Sequence, residues 1–118
     1  MTPVILWNNQ ATIGGGGVGM DIEGAGGYFH WTLSGWREVL ELAELAGWEP
    51  IGTGPPRGVL KADWAGSYYS NDGQRVYARD AKKLADALEI AIAKTAIKEA
   101  GHYQEFIEFC RAGSFRLH

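Results

Sequence analysis

Residues 28–47 read YFHWTLSGWREVLELAELAG, and the hydrophobic period changes partway through them. Tyr28–Leu33 is aromatic and alternating, the pattern of a strand with one face buried. Ser34 is placed to cap a helix, since its hydroxyl can accept from a free N–H of the first turn. Over Gly35–Ala46, Trp36, Val39, Leu40 and Ala43 fall at i, i+3, i+4 and i+7, one buried helical face. Leu42 and Leu45 widen that face, and Glu38, Glu41 and Glu44 line the opposite side. Gly47 is a left-handed terminator, and Pro50 prevents the helix from resuming.

Two more helices follow the same logic. The span from Ala78 to Glu99 keeps the helical period through Ala81, Leu84, Ala85, Leu88 and Ile92, with Asp80 at the positive end of its dipole. Gly101 breaks or bends the chain. Tyr103–Ala112 carries Tyr103, Phe106, Ile107 and Cys110 on one side, and Gly113 stops it. Strands are expected at Val4–Trp7, Met20–Glu23 and Val59–Ala62. A hairpin is expected from Trp64–Ser70 and Gln74–Tyr77 around Asn71-Asp72-Gly73. Ser114–Leu117 reads as a last edge strand. These elements predict a single α+β domain over residues 1–118, three helices on a small, mostly antiparallel sheet with a Gly-rich N-terminal segment.

Composition agrees with one folded domain. The chain has 118 residues, 46% hydrophobic and 21% charged, which is ordinary for a globular protein. Fourteen acids and eleven bases leave a net charge of −3. The pI near 5.5 argues against general nucleic-acid binding, which wants a basic face. No apolar run approaches the ~20 residues of a membrane span, and no secretory signal pattern is visible. Cys110 is the one cysteine, so neither an internal disulfide nor a cysteine zinc cluster can form. A cytoplasmic location is expected.

Several segments carry a resemblance: GWEPIGT at 47–53, YYSNDGQ at 68–74, DAKKLADAL at 80–88 and FCRAGSF at 109–115. In this combination they resemble a family of small, uncharacterised bacterial proteins, over roughly residues 28–118. The resemblance implies a small cytosolic bacterial domain and brings no activity and no catalytic residue. The family pattern has a small hydroxyl residue before the second helix, where this chain has Tyr77. That removes the hydroxyl half of a capping box with Asp80.

No catalytic set assembles from the residues. Gly14, Gly16 and Gly19 match G-x-G-x-x-G, but Met20-Asp21-Ile22-Glu23-Gly24 cannot open the long helix of a dinucleotide site. No Lys-Ser or Lys-Thr follows, so a P-loop fails too. The glycines could still form an anion nest, a flexible loop or a tight sheet crossing. His30, His102 and His118 lack metal-ligand spacing. Cys110 lies on an apolar helix face and reads as core. No cofactor is expected.

Candidate ligand- or partner-binding residues are Tyr28, His30, Arg57, Trp64 and Tyr68. By alternation Tyr28 and His30 share the face opposite Phe29 and Trp31. Arg57 projects from a stiff Pro-Gly loop, and its planar fork suits a phosphate or carboxylate. Trp64 and Tyr68 could stack a ring or could pair across a hairpin. The first expectation for function is a non-catalytic module docking on a protein partner, an inhibitor or immunity-type role. The alternative is sequestration of a small anionic ligand such as a nucleotide. A small enzyme using His30 or Cys110 is a third reading, and a homo-oligomer is compatible with either binding role.

Overall fold

The structure is a computed structural model and describes residues 19–95 and 100–118. Four strands and three helices follow in the order β1 (Gly19–Gly24), β2 (Gly27–Thr32), α1 (Leu33–Leu45), β3 (Arg75–Val76), α2 (Ala78–Lys94), α3 (Ala100–Arg111) and β4 (Phe115–Leu117). The strands form one antiparallel sheet in the order β2-β1-β4-β3. The helices pack on one face of it, which is the expected α+β architecture. The expected strand at Val4–Trp7 and Gly14–Gly17 lie outside the described residues.

The strand-to-helix corner forms as the change of period predicts, but two residues early. Thr32, not Ser34, is the N-cap of α1, with extended backbone and its Oγ1 accepting from the Gly35 N–H at 2.9 Å. Trp36, Val39, Leu40 and Ala43 are buried as expected, whereas Leu45 is 86% exposed and does not widen the face. At the other end the Gly47 N–H donates to the Glu44 carbonyl and the Trp48 N–H to the Ala43 carbonyl. This is a Schellman motif with Gly47 at φ +103°, and it turns Trp48 into the core, where it is 5% exposed.

β1 and β2 form a hairpin across Ala25-Gly26, pairing Gly24 with Gly27 and Gly19 with Thr32. Gly24 is there because β4 passes too close for a side chain. A Cβ would lie 2.6 Å from Phe115 Cα and closer still to the Ser114 carbonyl. The tail of the Gly-rich stretch is thus a tight sheet crossing.

Elsewhere tertiary pairing overrides local expectation. Val59–Ala62 is not a strand; Lys61–Asp63 forms a single 3-10 turn. Trp64–Ser70 and Gln74–Tyr77 are not hairpin arms. Arg75–Val76 pairs with β4 and bridges to Gly54. β4 is therefore internal, between β1 and β3, and not an edge. Helix α2 ends at Lys94, and Gly101 sits inside the first turn of α3 without breaking it.

The core centres on an aromatic cluster. Phe106 of α3 is fully buried, with ring centroids 5.1 Å from Phe29, 5.6 Å from Trp31, 5.9 Å from Trp36 and 6.1 Å from Phe115. Two tryptophans in this cluster differ in one respect. The Trp36 indole N–H donates to the Tyr68 carbonyl at 2.7 Å, whereas the buried Trp31 Nε1 has no acceptor among the described residues. Both changes to Phe shed similar volume, but only Trp36→Phe loses a hydrogen bond. Urea unfolding should rank Trp31→Phe the milder by about 1–2 kcal/mol; equal costs would contradict the bonding difference.

Candidate functional site

All three helices lie on one side of the sheet, so among the described residues no helix covers its other face. The period of two decides what stands there. Met20 and Ile22, Phe115 and Leu117, Trp31 and Val76 point into the core, all but Trp31 under 3% exposed. Their neighbours Asp21, Glu23, Tyr28, His30 and Arg75 are exposed, with Arg116 half-buried. Two of the expected candidates, Tyr28 and His30, are on this face as alternation predicts.

The register brings a third residue to them. Asp21 pairs with His30 across β1 and β2. Its Oδ1 accepts from the Tyr28 hydroxyl at 2.5 Å and lies 2.9 Å from His30 Nδ1. Gly19 makes room for the imidazole: a Cβ there would sit 2.9 Å from His30 Nε2. On the neighbouring strand end, His118 Nε2 lies 3.6 Å from Glu23 Oε1.

Burial alone would raise the Asp21 carboxyl, but the bonds from Tyr28 and His30 and the nearby imidazole charge outweigh it and hold the pKa below the ordinary value. The hydrogen bond to Asp21, with some burial, raises the Tyr28 phenol. A carboxyl with a depressed folded pKa stabilises the fold above its unfolded pKa of ~3.9 and loses that contribution as pH falls through the folded value. Tyr28→Phe should therefore move the Asp21 titration upward, followed by carboxyl NMR. An unmoved Asp21 titration would mean that Tyr28 does not hold it.

The other half of the face is basic. Arg75 and Arg116 are direct cross-strand partners. Arg116 Nη1 donates to the Gly73 carbonyl at 2.8 Å and reaches the Pro55 carbonyl at 3.5 Å. The Pro-Gly loop is thereby tied to β4, which brings Arg57 near. Partial burial first, then the charges of Arg57 and Arg75, lower the Arg116 pKa. Among the described residues none of these three guanidiniums has a carboxylate partner; the described Arg ion pairs are those of Arg111 with Asp86 and Glu89.

Trp64 and Tyr68 are placed differently. Tyr68 is half-buried, donates to Asp80 Oδ2 at 2.5 Å and accepts from the Gly52 N–H at 2.8 Å. Burial and the bond to Asp80 push its phenol well above the usual range. Asp80, fully buried, also accepts from the Trp48 indole N–H at 3.0 Å and the Ile51 N–H at 3.4 Å. The Trp64 indole N–H donates to Thr53 Oγ1 at 3.2 Å. The fully buried Gln74 donates from Nε2 to the Ser67 and Ser70 carbonyls and accepts from the Asp72 N–H. These motif residues hold the 48–74 loop together, which is an architectural task. Asp80 is a network centre that the helix-dipole reading missed, because its three donors lie 12 to 32 residues away in sequence.

The remaining chemistry is sparse. The thiol of Cys110, 1% exposed, is driven far above its ordinary pKa by burial, only partly offset by Arg111. No group of His, Cys, Asp or Glu among the described residues could hold a metal ion. A groove of about 450 Å3 between the end of α1 and α2 is lined by Trp48, Pro50, Ile51, Lys83 and Ile90. Among the described residues, neither it nor two further cavities, of about 420 and 400 Å3, is lined by Arg57 or the open sheet face. Among the described residues no helix is long and apolar enough to cross a membrane. Compared with family models, curated proteins and solved structures, the chain matches none.

Proposed function

We propose that this chain is a non-catalytic docking module that binds a protein partner through the open face of its sheet, in an inhibitor or immunity-type role. The observation that carries this reading is the one-sided packing. Three helices cover one face, and the other presents Tyr28, His30, Asp21 and Arg75 to solvent. A broad, polar face with an aromatic and Arg content is the composition of a protein contact surface. A cytoplasmic setting belongs to the same proposal.

Sequestration of a small anionic ligand is the second reading, and the proximity of Arg57, Arg75 and Arg116 favours it. Against it, a small-molecule site is normally a cleft of ~300–1,000 Å3 that buries most of its ligand, and the cavities described above lie elsewhere. Native mass spectrometry of gently purified protein separates the two. The docking reading expects a discrete second polypeptide at fixed stoichiometry. An excess of a few hundred daltons over the denatured mass would overturn it in favour of a carried ligand.

A further inference from the structure

The basic half of the open face has more to say about what docks there. Like charges directly opposite on neighbouring strands are destabilising, yet Arg75 and Arg116 occupy such a pair. Arg57 adds a third positive charge beside them, in a chain of net charge −3. The cluster is not slack. Arg116 is held by two backbone carbonyls through Nη1, and its Nη2 and Nε have no acceptor among the described residues. The guanidinium is thus oriented in advance with donors to spare, the arrangement that suits planar, bidentate carboxylate recognition.

An apolar pair follows Arg57 along the same loop. Two and three residues beyond Arg57, Val59 and Leu60 are 39% and 72% exposed. The Val59 N–H donates to the Pro56 carbonyl at 3.1 Å, so the aliphatic pair follows a hydrogen-bonded turn. Exposed aliphatics beside unpaired guanidiniums combine an anchor with a charge requirement.

We infer that this end of the sheet face receives an acidic protein segment whose carboxylates meet Arg57, Arg75 and Arg116 and whose aliphatic side chain packs on Val59 and Leu60. The inference rests on the docking reading and names the chemistry of the partner. Charge complementarity selects this occupant. A second copy would bring a like-charged cluster to any contact made between the two basic ends, and a free anion would leave Val59 and Leu60 uncovered.

The test is selection of a random 16-residue peptide display library on the intact chain, followed by affinity measurement on the double variant Arg57→Glu/Arg75→Glu. Both side chains are exposed, and circular dichroism with urea unfolding verifies that the variant folds. The expected result is enrichment of net-acidic peptides carrying an aliphatic residue. Their affinity should drop at least about tenfold in the double variant and weaken with salt. Leu60→Ser should weaken them by roughly tenfold independently. Enrichment without net negative charge, no enrichment at all, or peptides that bind the double variant equally well would each overturn the inference. So would binding to phosphatidylserine vesicles in place of acidic peptides. A co-purifying polypeptide whose capture survives Arg57→Glu/Arg75→Glu would overturn this inference and leave docking intact. A small-ligand mass excess would instead overturn the docking reading beneath it.

Discussion

Asp80→Ala is expected to lower the unfolding free energy by about 3–5 kcal/mol, a large share of the 5–15 kcal/mol typical of a domain. The side chain is fully buried and accepts from the Trp48 indole, the Tyr68 hydroxyl and the Ile51 N–H. Removing the carboxylate strands several donors at once, and each buried donor without an acceptor costs about 1–3 kcal/mol. The loss should also be visible locally. Tyr68 bonds both Asp80 and Gly52, so amide exchange at Gly52 and its neighbours should quicken before global unfolding. Asp80→Asn keeps the shape and one acceptor oxygen and should cost less than Asp80→Ala. Urea unfolding monitored by tryptophan fluorescence measures both variants. A cost under about 1 kcal/mol for Asp80→Ala would show that water replaces the network at no penalty.

Phe106→Ala should cost a comparable amount, about 3–5 kcal/mol, by a different route. Phe106 has no exposed surface and makes ring contacts to Phe29, Trp31, Trp36, Phe109 and Phe115. Those partners come from β2, α1, α3 itself and β4. A cavity at that point loosens the layer between helices and sheet, so the loss should appear as a lower denaturant midpoint with no separate loop transition. Phe106→Leu, which refills part of the volume, should recover roughly half of the loss. If Phe106→Ala costs no more than Trp31→Phe, the cluster does not have Phe106 at its centre.

Together the two variants divide the molecule into what holds the layers and what holds the loop. The aromatic cluster ties the helices to the covered face of the sheet. The Asp80 network ties the long 48–74 loop to the start of α2, and Gln74 ties the end of that loop to Ser67 and Ser70 within it. Arg116 ties the same loop to the open face through Gly73 and Pro55. The basic cluster depends on this last attachment, because Arg57 is carried by the loop and Arg75 and Arg116 by the sheet.

The candidate site was half legible from the chain itself. Alternation in YFHWT put Tyr28 and His30 on one side and Phe29 and Trp31 on the other, and the structure agrees. Arg57 was visible as a cation on a stiff loop. Asp21, Arg75 and Arg116 were not, since each acquires meaning only from its cross-strand neighbour. Trp64 and Tyr68 looked like a hairpin's aromatic pair because Asn71-Asp72-Gly73 is a strong turn signal. The chain bends at Asp72-Gly73, with Gly73 at φ +88°, but the two sides of the bend do not pair with each other.

The sequence by itself determined the α+β class, the three helices and their buried faces, the β1–β2 alternation and the Gly47 stop. All of these rest on contacts within a few residues, where periodicity and capping act directly on the backbone. Only the tertiary structure decided that β4 lies inside the sheet and that Arg75 faces Arg116 across the strands. It also decided that Asp80 gathers Trp48 and Tyr68, which lie 32 and 12 residues away in sequence. Strand pairing and buried polar networks join groups far apart in sequence, and local propensity has no information about which distant partner satisfies a given backbone edge or carboxylate.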